Sequence, residues 1–195
     1  GNVTISGLEQ IQNSGTEAII NLLESRIGVL EKTMANTLST SLYSDGTGSD
    51  GKEVGGLQLL VADAGTGTVG GINSSTFTFF QNAQTTATSS AFSTTNIQAD
   101  MNTIYLSLVR GSDSPDLIMA DTNAYKSFLG SLQAIQRVTS DRVATSGFTS
   151  VQYLNSDVIF DDACPANKMY FLNTDYLRLE VAANRNFVPG EAKMS

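Results

Sequence analysis

The chain has 195 residues, enough for one domain or two small ones, and 41% of them are hydrophobic. Its net charge is −8 and its 11 basic residues form no patch, which argues against tight binding to a phosphate backbone. The absence of histidine removes the commonest general base and zinc ligand, and a single cysteine excludes an internal disulfide. We therefore expect no enzymatic activity and no cofactor, and no apolar run is long enough to span a bilayer.

The first predicted element is one amphipathic helix over residues 8–42. Its apolar residues recur in steps of three and four, at Leu8, Ile11, Ile19, Leu22, Leu23, Ile27, Leu30, Met34, Leu38 and Leu42. Such a helix is roughly 50 Å long, longer than a compact domain of this size is wide. We expect it to cross the domain or to pack on another molecule. A charge at Ile27 or Leu30 is expected to unfold the domain, because it would be buried without a partner.

Loops and short apolar elements follow this helix. Residues 43–56 and 65–71 are predicted loops, and the apolar run at 57–62 between them is a strand or a short helix. Residues 76–80 are a predicted strand. A second helix is predicted to begin at Thr95 and to end before Gly111. The apolar face of that helix comprises Ile97, Met101, Ile104, Tyr105 and Leu108.

The remaining elements are mostly strands. A short buried strand at residues 117–120 precedes a third helix, which Asp121 or Thr122 caps. The polar residues 137–147 are a predicted loop. Further strands are predicted at residues 151–154, 158–160, 168–172 and 177–181. This order indicates an α+β fold rather than regular βαβ alternation.

Two glycine patterns resemble nucleotide-binding motifs, but their neighbours argue against both. The G-x-G-x-x-G pattern at residues 65–70 is followed by strand-like residues and lacks the downstream acid of a dinucleotide fingerprint. The G-x-x-x-x-G-K pattern at residues 46–52 is followed by Glu53, where a phosphate-binding loop needs Ser or Thr. We expect neither NAD nor Mg-ATP to bind.

One acidic loop leaves a metal-binding function open. Asp45, Asp50 and Glu53 could hold Ca²⁺ weakly, as in a bacterial surface module. The same residues also fit a solvated acidic loop, which is the more ordinary interpretation.

A second acidic group leaves a hydrolase without histidine open. Asp157, Asp161 and Asp162 flank a predicted strand and could supply paired acids, although Asp at a strand end is more often a turn former. Cys164 has no histidine to activate it, so we interpret it as a small, semi-buried side chain.

Five segments, in their order along the chain, carry a resemblance to a known family. They are residues 56–61, 70–72, 116–121, 154–162 and 164–177, and the last contains the sequence Tyr-Phe-Leu-Asn. Together they resemble the major capsid proteins of tailed double-stranded DNA bacteriophages, whose fold encapsulin shells share.

The resemblance implies a fold and a domain organisation. It implies an L-shaped α+β subunit with a spine helix at about residues 8–42. Residues 1–111 would form a peripheral domain, residues 112–167 an axial domain, and residues 168–195 would return to the peripheral domain. Because axial loops of this family surround the capsomer centre, the candidate contact residues are Arg137, Asp141, Arg142 and Gly147.

The resemblance also implies a function. It implies a non-enzymatic structural subunit of an icosahedral virion shell, which self-assembles in the host cytoplasm around genomic DNA. The partners would be further copies, scaffolding and portal proteins, and DNA contacted only by enclosure, with no cofactor and no membrane. The alternatives are an encapsulin-type compartment that encloses protein cargo and the calcium-binding surface module.

Family members carry an N-terminal arm and an extended loop before the spine helix, and a further strand after a position like Lys193. The sequence given lacks these segments, so the resemblance predicts weak self-association of the 195 residues alone. It also predicts apolar side chains left exposed along the long helix or the peripheral sheet.

Overall fold

The structure, a computed structural model, describes residues 3–12, 16–132 and 151–181. The helices of these residues are α1 (Gly7–Gln12), α2 (Thr16–Ser41), α4 (Leu57–Leu60), α5 (Ile97–Leu108) and α6 (Thr122–Ser131), and α3 (Gly48–Gly51) is a single turn with left-handed backbone angles at its two central residues. The strands are β1 (Thr68–Val69), β2 (Ile72–Asn73), β3 (Leu117–Ala120), β4 (Val151–Tyr153), β5 (Ser156–Phe160) and β6 (Met169–Leu172). Short 3-10 helices lie at Thr78–Phe80, Thr88–Ser90 and Thr174–Tyr176. This mixture confirms the predicted α+β class.

A four-stranded mixed sheet forms the centre, in the order β4-β5-β3-β6. Strands β3 and β5 are parallel, with Ile118 opposite Val158, whereas the β3–β6 and β4–β5 pairs are antiparallel. The β1–β2 hairpin is a separate two-stranded sheet. The outer strands of the central sheet are therefore β4 and β6.

Apolar side chains cover both faces of the central sheet. The core on one face combines the sheet with α5 and α6, and its buried residues are Ile97, Met101, Ile118, Phe128, Val151 and Val158. The core on the other face combines the sheet with α4 and the residues after α2, and its buried residues are Tyr43, Leu57, Cys164, Tyr170 and Leu172. Successive residues of a strand point to opposite faces, so Ile118 lies in the first core and Met119 packs against the second.

Several predicted elements are confirmed with small changes of boundary. The predicted face of α5 is buried at four of its five positions, and Leu108 is half-buried. Asp121 caps α6, because its Oδ1 accepts a hydrogen bond from the Ala124 backbone N–H at 2.9 Å. Residues 57–62 were predicted as a strand or a short helix, and the structure has one helical turn there, α4.

The prediction of one continuous helix over residues 8–42 is wrong. Arg26 donates hydrogen bonds to the Thr4 carbonyl and to the Glu9 carboxylate. In one continuous helix Glu9 and Arg26 would be about 25 Å apart along the axis, beyond the reach of an arginine. Helix α1 is therefore a separate element that lies beside α2. It begins with a capping box, in which Ser6 and Glu9 each accept a hydrogen bond from the other's backbone N–H.

Two predicted strands are also wrong. At residues 76–80 the backbone turns, since the Thr76 and Phe77 N–H groups both donate to the Asn73 carbonyl and a 3-10 helix follows. The side-chain oxygen of Asn73 accepts from Ser75 N–H at 2.8 Å, a local turn that replaces the strand ladder. Residues 177–181 pair with no strand in the described ranges, and all five are exposed.

Candidate functional site

The four residues of the predicted contact loop, Arg137, Asp141, Arg142 and Gly147, lie outside the described residues. Their role therefore stays a prediction. The remaining candidates lie within the described ranges, where their surroundings can be compared with the chemistry that each would need.

The acidic residues around β5 serve the fold. Asp157 and Asp161 are four residues apart along an extended backbone, about 13 Å, whereas paired acids for glycoside hydrolysis lie roughly 5–9.5 Å apart. Asp161 accepts hydrogen bonds from the Tyr43 hydroxyl at 2.7 Å and from Ala163 N–H at 2.9 Å. Asp162 is exposed. This geometry does not support the hydrolase alternative.

The acidic loop at residues 45–53 uses its carboxylates to hold its own backbone. Asp45 accepts from the N–H and the hydroxyl of Thr47, and these bonds lower the pKa of its carboxyl group. Glu53 accepts from Gly48 N–H at 3.1 Å. Within the described part of the chain, no group of three or more Asp, Glu, Cys or His side chains could hold a metal ion. The loop therefore offers no support for the calcium-binding alternative.

Neither glycine pattern has the structural context of a nucleotide site. The G-x-G-x-x-G pattern at residues 65–70 leads into β2, where a dinucleotide site needs the N-terminus of a helix. In the other pattern, Ser49 and Asp50 have left-handed backbone angles, with φ of 52° and 57°. That conformation is a turn and does not begin a right-handed helix at which a phosphate could bind.

Cys164 lies in the second core and is inert by its surroundings. Burial, together with the nearby negative charges of Asp121 and Asp161, raises the pKa of the Cys164 thiol to about 12. The thiolate is the reactive form of cysteine, so at neutral pH almost none of it is present.

We expect the native thiol to react with a disulfide reagent at pH 8 at least about 100-fold more slowly than in the urea-unfolded chain. The native rate should rise with pH toward about 12, because the thiol deprotonates over that range. Stopped-flow absorbance measures both rates. Equal rates in the native and unfolded chains would contradict the burial of Cys164.

Tyr43 joins the end of the long helix to the sheet. Its ring centroid lies 5.9 Å from that of Tyr170, and its hydroxyl donates to Asp161. Burial and the Asp161 carboxylate raise the pKa of Tyr43 above its ordinary value, so the phenol remains a hydrogen-bond donor. The position of α2 relative to the sheet is therefore fixed by a buried contact.

The apolar stripe of α2 is only partly covered. Among the helix side chains that are described, none is buried. Within the stripe, Ile27 is 43% exposed, while Leu22, Leu30, Met34 and Leu38 are half-buried. Val29 is 62% exposed, but it lies about 200° around the helix from Ile27, on the opposite face. The expected exposure of apolar side chains along the long helix is confirmed. A stripe of this length is typical of a surface that packs on another molecule.

Asp121 has a structural role that the sequence disclosed only in part. Besides capping α6, it accepts a hydrogen bond from Asn167 N–H at 2.8 Å through its second oxygen. One buried carboxylate thus joins α6 to the turn before β6. The cap was readable from local sequence, but the contact over 46 residues was not.

Comparison with known proteins points to one class. A family model described as the SU10 major capsid protein matches residues 2–192. No curated protein and no solved structure matches the chain. Among the described residues, no helix is both long and apolar enough to cross a membrane.

Proposed function

We propose that this chain, which belongs to the SU10 major capsid protein family, uses the partly exposed apolar stripe of α2 to contact neighbouring copies in a shell. Membership in the family makes the chain a structural subunit of a phage capsid, located in the virion. The family match over residues 2–192 is the observation that carries this function. It favours a virion shell over an encapsulin compartment and over a calcium-binding surface module.

The proposed shell is icosahedral and encloses double-stranded genomic DNA without gripping it. The net charge of −8 and the absence of a basic patch support this, because tight binding to phosphates needs clustered Lys and Arg. Assembly would take place in the host cytoplasm, with scaffolding and portal proteins as further partners. The subunit would have no catalytic role.

Assembly from many weak contacts fits the surface of α2. The helix has 26 residues and is about 39 Å long, so one stripe can contact a neighbour over much of the subunit's width. Most of the stability of a helix in a protein comes from packing of its apolar face. Packing of its apolar face in a shell would stabilise it, and symmetry would repeat the contact at each copy.

The proposed domain organisation keeps residues 1–111 as peripheral, residues 112–167 as axial and residues 168–195 as a return to the peripheral domain. The proposed boundary at residue 167 lies between β3 and β6, which pair in one sheet with Leu117 opposite Leu172. Axial and peripheral parts would therefore share hydrogen bonds across the boundary. We also propose that Arg137, Asp141, Arg142 and Gly147 contact neighbours around the capsomer centre.

An Ile27→Asp substitution should prevent assembly and leave the fold intact. Since Ile27 is 43% exposed, the premise that a charge there would be buried in the single subunit does not hold. In a shell contact the charge would face apolar surface, so we expect the concentration needed for assembly to rise at least about tenfold. Light scattering and negative-stain microscopy measure particle formation, and circular dichroism measures folding.

Asn36→Asp is the matched control. It makes the same change of net charge on the same helix. Asn36 lies nine residues after Ile27, and at a rotation of about 100° per residue this places it on the opposite face of the helix. It should assemble as the unaltered protein does. Normal assembly of Ile27→Asp, or equal loss in both variants, would contradict the assignment of this face. Because the 195 residues alone are expected to associate weakly, assembly is measured with the full-length protein, and the absence of any closed particles from its unaltered form would contradict the proposed function.

A further inference from the structure

A long uncharged segment lies between α4 and α5. Residues 64–99 contain no Asp, Glu, Lys or Arg, although 15% of the whole chain is charged. The centres of protein–protein interfaces are depleted in charged residues and enriched in aromatic ones. This segment also carries the largest cluster of phenylalanines in the sequence, Phe77, Phe79 and Phe80.

Hydrogen bonds hold residues 62–82, which we call the aromatic loop, in one conformation. Its ends are joined, because the Asn82 side-chain amide donates to the Ala62 carbonyl at 3.0 Å. Inside it, the buried Ser74 hydroxyl accepts from Gly67 N–H at 2.8 Å, and the Gln81 amide donates to the Ser74 carbonyl at 3.1 Å. A loop fixed in this way loses little conformational entropy when it binds.

The loop presents its aromatic rings to solvent. Phe77, Phe79 and Phe80 are 48%, 77% and 55% exposed. The rings pack on one another, with centroids 4.5 Å apart for Phe79 and Phe80 and 6.1 Å apart for Phe77 and Phe79. Their exposed surface is roughly 300–450 Å², about half of what one partner buries in a standard interface. The rings therefore suit one contact among several on each subunit.

The same chain carries a cleft that fits such rings. It has a volume of about 510 Å³ and lies between α5, β6 and residues 61–63, 81–87 and 90–92 of the same chain, so the ends of the aromatic loop form part of its wall. Apolar side chains of both elements line it, namely Met101, Ile104, Leu108, Met169 and Phe171. The few charges along it are Asp63, Asp100 and Lys168, and Lys168 pairs with Asp63. Entry of uncharged phenylalanine rings into the cleft would not require any of these charged groups to lose its partner.

We propose that the rings of Phe77, Phe79 and Phe80 insert into the cleft between α5 and β6 of a neighbouring copy in the shell. The partner is a second copy of this chain, because the subunit's family builds its shell from copies and the segment lacks the Lys and Arg that nucleic acid or a lipid surface would need. The contact is heterologous, since different surfaces of the two copies meet, and it can close into rings. This inference rests on the proposed function.

Cross-linking in assembled particles tests the contact directly. A photoreactive benzophenone amino acid replaces Phe79, and the same replacement of Leu154 is the control. Leu154 is 62% exposed and lies in the turn beside β4, at the opposite edge of the sheet from β6. Illuminated particles should yield covalent dimers from position 79 and not from position 154, and mass spectrometry should place the cross-link in α5 or β6.

Three outcomes would overturn the contact and leave the proposed function standing. They are particles that form normally but give no dimer from position 79, equal cross-linking from both positions, and a cross-link to another surface. Failure of the unaltered full-length protein to form particles would instead remove the proposed function. A Phe79→Ser variant adds a second measurement. It should raise the concentration needed for assembly about tenfold without changing the melting temperature, while Leu154→Ser should do neither. An unchanged threshold for Phe79→Ser would also overturn the contact.

Discussion

Replacing Phe128 by alanine should lower the free energy of unfolding by about 3–5 kcal/mol. Phe128 lies on α6 and is fully buried in the first core. Its ring meets that of Tyr153 edge to face, with centroids 5.9 Å apart. Truncation removes this contact and leaves a cavity between α6 and the sheet, which close-packed neighbours fill only in part. Urea denaturation, followed by circular dichroism, measures the loss.

The chain supplies a matched control for this substitution in Phe79→Ala. Phe79 is 77% exposed, so the same chemical change should alter the free energy of unfolding of the single subunit by less than about 0.5 kcal/mol. A loss below about 1 kcal/mol for Phe128→Ala, or similar losses for both variants, would mean that α6 does not pack on the sheet as described.

Replacing Asp121 by alanine should cost about 2–4 kcal/mol of stability. Its side chain is 4% exposed and accepts hydrogen bonds from Ala124 N–H and Asn167 N–H. Alanine would leave both donors without a protein partner, and one of them is at the N-terminus of α6, where a negative charge is also favourable. Thermal and urea unfolding both measure the effect.

Two control variants, Asp121→Asn and Asp162→Ala, accompany this prediction. Asparagine keeps one acceptor oxygen for the helix cap, so it should lose less stability than alanine. Asp162 is exposed, and its replacement should be nearly neutral. If Asp121→Ala were as stable as Asp162→Ala, the carboxylate would not join α6 to the turn before β6.

Local sequence signals predicted the elements that local interactions decide. The 3.6-residue period gave α5, and an aspartate at the right position marked the start of α6. The strand prediction at residues 76–80 failed because alternation describes a backbone that could pair and does not supply the partner. The separation of α1 from α2 depends on Arg26 reaching Glu9, a contact between helices that a periodic pattern does not reveal.

The sequence predicted the candidate contact surfaces only in part. Periodicity identified the stripe of α2, but an apolar stripe has the same pattern whether it faces a core or another subunit. The exposure of Ile27 and Leu42, which only the folded structure shows, distinguishes the two. Residues 76–80 of the aromatic loop were predicted as a strand and residues 65–71 as a loop, although the run without charge at residues 64–99 was a signal that could have marked the segment as a contact. The link from Tyr43 to Asp161 spans 118 residues and has no local signature.

The place of β3 in the sheet constrains how the chain folds as it is synthesised. Both of its neighbours come later in the chain, β5 at Ser156–Phe160 and β6 at Met169–Leu172. At translation rates of 5–20 residues per second, β3 waits about 3–10 s after its own synthesis before β6 has been made. Until β5 has been made, the apolar side chains of β3 have only helices α5 and α6 on one face, and α4 with the residues after α2 on the other, to cover them. The centre of the subunit is thus a late product of synthesis, and a chain that ends before β5 would leave both edges of an apolar strand unpaired.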